Sequence, residues 1–200
     1  MKIIIIGATG TIGRAVVDLL APDHDIVKVG FSGGDFQVNL AAKDSIRKLF
    51  QDVGKFDAII SAAGLAKFGS LDSLEDEDYL LGLTNKLMGQ VNLVRVGLNH
   101  INDNGSFTLT SGVLSQNPMP GSASISMVNA GIEGFVRAAA LEIQRNIRVN
   151  VVSPIWVEET LKALGMDGVE GMPAEQVAFA YKESVEGQRS GEVLDVRNFV

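Results

Sequence analysis

The sequence contains no cysteine and only two histidines, His24 and His100. A disulfide framework and a thiolate nucleophile are therefore excluded, and any metal site must be built from oxygen ligands or those two imidazoles. The histidines lie far apart and neither is spaced against a carboxylate pair, so no metal centre is expected. Positive charge is also scarce: 17 Lys and Arg against 24 Asp and Glu leave a net charge of −7 and a pI near 4.8. The basic residues are scattered, which argues against a nucleic-acid surface. No apolar run is long enough to span a bilayer, and no charged leader precedes the first strand at Lys2, so no signal peptide, no membrane partner and a cytoplasmic location are expected. Repeats, low-complexity tracts and linkers are missing as well. At 200 residues and 46% hydrophobic, the chain suits one core, and residues 1–200 read as a single domain.

What is present is an alternation of short apolar runs with longer stretches of helical period. Ile3–Ile6 is wholly β-branched and reads as a strand buried on both faces. It is followed by a helix over Thr11–Ala21, a strand over Ile26–Gly30, and a helix over Lys43–Val53 whose Ile46, Leu49, Phe50 and Val53 form one stripe. Phe56–Ala63 reads as a third strand. Ser73–Ile101 carries a long helical pattern, with a cap signal at Ser73 and Asp76 and a break near Gly82. Asn104-Gly105 is a turn signal before a strand at Ser106–Ser111. A long helix at Gly121–Arg145, a strand at Ile147–Ser153, a helix at Ala174–Glu186 and a strand at Glu192–Val196 complete the pattern. This order specifies an α/β fold: a doubly wound parallel sheet in three α/β/α layers, joined by right-handed crossovers.

Ligands of such a sheet bind beyond the carboxyl ends of its strands, where strand order reverses. Gly7-Ala8-Thr9-Gly10-Thr11-Ile12-Gly13 stands there, a GxxGxxG turn between a buried strand and a helix. Its glycines allow backbone to approach a pyrophosphate, and the free N–H groups of the helix start attract the anion. Four further segments follow in order: Ser61-Ala62-Ala63-Gly64 after the third strand, Leu109-Thr110-Ser111-Gly112 after the fourth, Asn129-Ala130-Gly131-Ile132-Glu133-Gly134-Phe135, and Val149-Asn150-Val151-Val152-Ser153-Pro154. Together these resemble the short-chain dehydrogenase/reductase family over almost the whole chain. The resemblance implies a Rossmann fold binding NAD or NADP through Gly7, Thr9, Gly10, Thr11, Ile12, Gly13, Ala62, Ala63, Gly64 and Pro154. It also places Asn85 at the family's active-site asparagine and Ser111 at its catalytic serine.

Two departures alter the implied chemistry. With Asn129 at the family's lysine position, the family's catalytic tyrosine falls on Ile125. Isoleucine donates no proton, and asparagine can hold a ribose hydroxyl without supplying a positive field. Tyr79 and Tyr181 read as packing residues. Lys86, next to Asn85, points about 100° away around a helix, yet its stem is long enough to curl toward a cleft. Ser111, Asn85 and Lys86 are thus the candidate catalytic residues, with Ser126 a weaker hydroxyl.

After the second strand, Val29-Gly30-Phe31-Ser32-Gly33-Gly34-Asp35 offers no carboxylate against a 2′-phosphate, and Ser32 with glycine N–H groups would accept one. The preference leans to NADP, with Arg14 the nearest basic side chain. Asn39 stands near the adenine in the resemblance. The substrate loop between Pro154 and Pro173 contains Ile155, Trp156, Glu158, Glu159, Leu161, Leu164 and Met166 and suits a small substrate. Small residues on the two long helices, Ala123, Ala130, Gly131, Gly134 and Ala138–Ala140, predict a homodimer or homotetramer. Two classes of function remain: an NAD(P)(H)-dependent oxidoreductase acting on a small carbonyl or alcohol with a non-standard proton donor, or a non-catalytic dinucleotide-binding sensor or scaffold.

Overall fold

The computed structural model describes residues 1–163, 165, 166 and 169–200; Leu164 of the expected substrate loop lies outside the described residues. One sheet holds seven parallel strands: β1 (Lys2–Ile6), β2 (Asp25–Gly30), β3 (Phe36–Gln37), β4 (Phe56–Ser61), β5 (Ile101–Thr110), β6 (Arg148–Ser153) and β7 (Val193–Asp195). Their order is β3-β2-β1-β4-β5-β6-β7. The chain moves outward from β1 in one direction and then restarts at β4 in the other, so the crevice opens between the ends of β1 and β4.

The β-branched run of β1 serves both faces at once. Ile4 and Ile6 pack with Phe50, Phe56, Leu93, Phe107 and Ile132 under helices α2 (Lys43–Val53), α4 (Met88–Gly97) and α5 (Ala123–Glu142). Ile3 and Ile5 face the opposite layer, where Val16 and Leu20 of α1 (Thr11–Leu20) meet Val177 and Tyr181 of α7 (Ala174–Glu186). Alternation with period two thus builds two cores from one strand.

Two local expectations change, and the break expected near Gly82 takes the form of a π-helical turn. The turn signal Asn104-Gly105 lies inside β5: the register steps from Phe56↔Ile101 to Ala58↔Ser106, and Asn104 takes φ 63°. This is a bulge, held by Asp57, whose carboxylate accepts from Asn102 Nδ2 at 2.7 Å and from Lys2 N at 2.7 Å. Ser73 does not cap a helix. Helix α3 (Asp76–Leu81) begins after Glu75, whose N–H is taken by Asp78 at 3.1 Å, and Ser73 bonds Ser70 instead. The long helical pattern is interrupted by a π-helical turn, Gly82–Leu87, before α4 resumes. Gly82 makes that turn fit against α5, since a Cβ there would lie 3.2 Å from Val128.

Beyond β6 the chain carries α6 (Glu158–Ala163) and returns through a parallel bridge, Val157↔Met172. Glu159 ties this excursion down, its carboxylate accepting from Ala174 N at 3.0 Å at the start of α7. Among the described residues no helix is long and apolar enough to cross a membrane.

Candidate active site

The three glycines of the first turn have three different physical reasons. Gly7 takes φ +84°, and a Cβ there would lie 2.7 Å from the carbonyl oxygen of Ala62. A Cβ on Gly13 would lie 1.9 Å from the carbonyl oxygen of Gly7, so α1 can sit on the strand end only without one. Gly10 is constrained by neither cause. Its φ is −81°, and the nearest atom to its Cβ position is Gly7 O at 3.3 Å. Its bareness leaves room for a ligand at the start of α1, where no side chain caps the N–H groups of Thr11, Ile12 and Gly13.

Beside this turn, Thr9 lies against the glycines that end β2: a Cβ on Gly30 would come 3.4 Å from Thr9 Oγ1. Arg14 Nε donates to Thr9 O at 2.8 Å, which holds the guanidinium at this corner. Asp35 is turned back, its carboxylate accepting from Lys28 N at 2.8 Å, and Ser32 is exposed. The corner therefore offers a cation and a hydroxyl, with the Asp35 carboxylate engaged by backbone. Asn39 is exposed and its Oδ1 accepts from Ala41 N at 3.0 Å, making the turn before α2. Its neighbours Val38 and Leu40, with Phe31, line an apolar pocket of about 320 Å³ between the β1 and β2 ends.

Asn85 and Lys86, adjacent on the π-helical turn, enter different pockets. Asn85 lines the pocket near Leu40, where its Oδ1 accepts from Leu65 N at 2.8 Å and fixes the loop after Gly64. It does not stand with Ser111. Lys86 does: its stem crosses Gly64, its Nζ donates to Ser111 O at 3.0 Å, and it lines a second cavity of about 330 Å³. Burial of the ammonium lowers its pKa from 10.5 to about 8. Gln90, one turn on, bonds Lys86 O at 3.2 Å and grips both Thr110 N and Thr110 O, at 2.8 and 2.9 Å. The same short stretch of helix thus holds the end of β5 by two side chains. Sequence spacing alone could not show this, because a π-turn rotates successive residues differently from an α-turn.

Ser111 presents its carbonyl to Lys86 and its hydroxyl elsewhere. Its Oγ donates to Glu133 at 3.1 Å, and the same carboxylate oxygen takes Ser115 Oγ at 2.5 Å. Glu133, buried on α5 and 3.5 Å from Arg137, was not singled out by the sequence reading, since a lone acid in a helix carries no motif. The hydroxyl at the family's serine position is thus held by a carboxylate. Gly112 is the strand-end residue whose missing side chain faces Asn129, 3.0 Å from its Nδ2. Asn129 is buried and donates to Gly112 O at 3.3 Å, and its Oδ1 has no partner among the described residues. An orphaned acceptor at the cavity suits a ligand hydroxyl.

The cavity walls are apolar. Ile125 is among them, and so are Phe68 and Trp156, whose ring centroids lie 6.2 Å apart; Trp156 faces the cavity rather than the main core. Ile12, Ala62, Ala63, Gly64 and Pro154 also border it, joining it to the glycine turn. Tyr181 is fully buried, its hydroxyl 2.7 Å from Thr110 Oγ1, and desolvation raises its pKa, as a packing residue requires. Gly131, expected in a subunit contact, packs inside the chain, a Cβ there lying 3.1 Å from Leu87.

Comparison with known proteins agrees with this geometry. The family model described as "Enoyl-(Acyl carrier protein) reductase" matches residues 10–200. The 3-oxoacyl-[acyl-carrier-protein] reductase of Mus musculus is 25% identical over 98% of this chain and 87% of its own length. The crystal structure of a protein from Listeria innocua is 41% identical, with a TM-score of 0.95 over 98% of this chain and 99% of the other. A small-chain dehydrogenase in complex with NADPH is 25% identical, with a TM-score of 0.88 over 98% of this chain and 95% of the other.

Proposed function

The chain belongs to the short-chain dehydrogenase/reductase family, and we propose that it interconverts a small apolar carbonyl compound and its alcohol with NADP(H), Lys86 serving as the proton donor. The dinucleotide supplies the hydride when bound. Gly10 and the uncapped N–H groups of α1 hold its pyrophosphate, and Asn129 Oδ1 takes a ribose hydroxyl. Arg14 and Ser32, with Asp35 turned away, favour a 2′-phosphate over a bare ribose.

The single observation that carries the proposal is Lys86 at the cavity. One of its N–H bonds is given to Ser111 O, and the others remain for a substrate carbonyl oxygen. In the reductive direction the ammonium gives its proton to that oxygen and recovers one from water. A pKa of about 8 leaves it mostly protonated at neutral pH yet a stronger acid than an ordinary lysine. Ser111 then acts through its carbonyl as a positioning residue.

The test follows NADPH oxidation against a panel of small aldehydes and ketones. Lys86→Met should lower turnover about 10²- to 10⁴-fold, the usual worth of a general acid. Ser111→Ala should lower it far less. Turnover unaffected by Lys86→Met would overturn the assignment. Ile125 at the cavity wall favours a second reading, dinucleotide binding without chemistry; tight NADPH binding with no turnover across the panel is its signature. The exposed stripe of Ala123, Met127, Ala130, Gly134 and Ala138 on α5 suits a helix of a second copy. On this reading the protein elutes as a homodimer or homotetramer, and a 21.3 kDa monomer by light scattering refutes it.

A further inference from the structure

We infer that Lys86 is also a nucleophilic amine, and that small apolar aldehydes and ketones entering the cavity form imines on its Nζ. This rests on the reading that carbonyl compounds occupy that cavity, but it needs no dinucleotide.

The argument starts from what Lys86 touches. Its one hydrogen-bond partner among the described residues is a neutral carbonyl, Ser111 O. A carboxylate partner would hold the charged form and occupy the nitrogen; a neutral carbonyl favours the charged form far less than a carboxylate does and can accept an N–H from the neutral amine too, whose lone pair is then directed away from it. The buried carboxylate of the neighbouring helix, Glu133, is already engaged by Ser111, Ser115 and Arg137. The cavity that Lys86 lines is also walled by Ile125, Phe68, Trp156 and Ile155, which suit an apolar body. Gly64 lets the stem pass closely, its absent Cβ lying 2.7 Å from Lys86 Cγ, so the amine is placed rather than waving in solvent.

The step balances without a co-reactant. Nζ adds to the carbonyl carbon, the C=O bond breaks, a C=N bond forms, and the oxygen leaves as water with two protons taken from the amine. Burial assists it. A pKa of about 8 in place of 10.5 gives about 300-fold more neutral amine at pH 7 than an exposed lysine holds.

The protein without nucleotide is incubated at pH 7 with benzaldehyde and sodium cyanoborohydride, which reduces imines to stable secondary amines, and benzylated lysines are mapped by peptide mass spectrometry. Lys86 should label at least about 10-fold faster than exposed Lys48 and Lys55, part of the 300-fold being lost because nucleophilicity falls with basicity. Lys86→Arg should remove that adduct and leave the others. Equal labelling of all lysines, or none at Lys86, would overturn the inference. Both outcomes are read within the wild-type protein, so a poorly folding variant does not decide the matter. Because no hydride from a nicotinamide is involved, a failure here is separate from a failure to oxidise NADPH.

Discussion

Gly64 and Lys86 are fitted to each other: a Cβ built on Gly64, at φ +153°, would lie 2.7 Å from Lys86 Cγ and 3.2 Å from its Cα. The glycine is the gap through which the lysine reaches the cavity. Gly64→Ala should cost roughly 1–3 kcal/mol through backbone strain and displace the amine, so turnover falls while the protein still folds. Thermal melting and NADPH oxidation, measured together, check this; unchanged turnover would mean the stem takes another route.

Lys86 also has a cost to the fold. Its folded pKa of about 8 lies below the 10.5 of an unfolded lysine, so between those values the unfolded chain binds the extra proton and stability rises with pH. Below about pH 8 the whole desolvation cost is present, at most about 3 kcal/mol. Lys86→Met should therefore raise the melting temperature at pH 7, and the advantage should vanish above pH 10.5. A variant equally or less stable than wild type at pH 7 would contradict the burial of the charge. A gain in stability with a loss of turnover is what a functional, strained side chain predicts.

The glycine turn separates binding from folding. Gly10→Val leaves the core untouched, because only Gly7 O lies near, at 3.3 Å, and should abolish NADPH binding with a small change in stability. Gly13→Ala places a Cβ 1.9 Å from Gly7 O and should destabilise the fold itself. Fluorescence titration with denaturant unfolding distinguishes the two. Retained affinity in Gly10→Val would put the ligand elsewhere.

Arg14 reports on the choice of nucleotide. Anchored on Thr9 O at 2.8 Å, with the Asp35 carboxylate engaged by Lys28 N, it should contribute to a 2′-phosphate and nothing to a hydroxyl. Arg14→Ala is expected to weaken NADPH about tenfold, the worth of one charge-assisted contact, and to leave NADH unchanged. Equal weakening of both would assign Arg14 to the turn rather than to the phosphate.

Local pattern was enough for the fold. The wholly β-branched Ile3–Ile6, the stripe of Lys43–Val53 and the regular alternation of strand and helix each follow from a period of 2 or 3.6, and glycine spacing located the turn at the crevice. The strand at Ile101–Thr110 starts earlier than the turn signal Asn104-Gly105 suggests, because those residues lie in a bulge held by contacts from other segments, Asp57 and Arg145 among them. Ile125 and Asn129 were also legible, at the positions where the resemblance sets the family's tyrosine and lysine.

Where the candidate groups point was decided by tertiary structure. The chemistry of Asn85 and Lys86 is written in their names, but which of them enters the cavity depends on the rotation of a π-turn wedged against α5, and on Gln90 joining that turn to Thr110. Ser111 was recognisable as a strand-end hydroxyl, yet its direction is set by Glu133, more than twenty residues later. A sequence specifies which groups are available because each residue carries its own; it does not show their directions, because these arise from contacts between segments distant along the chain.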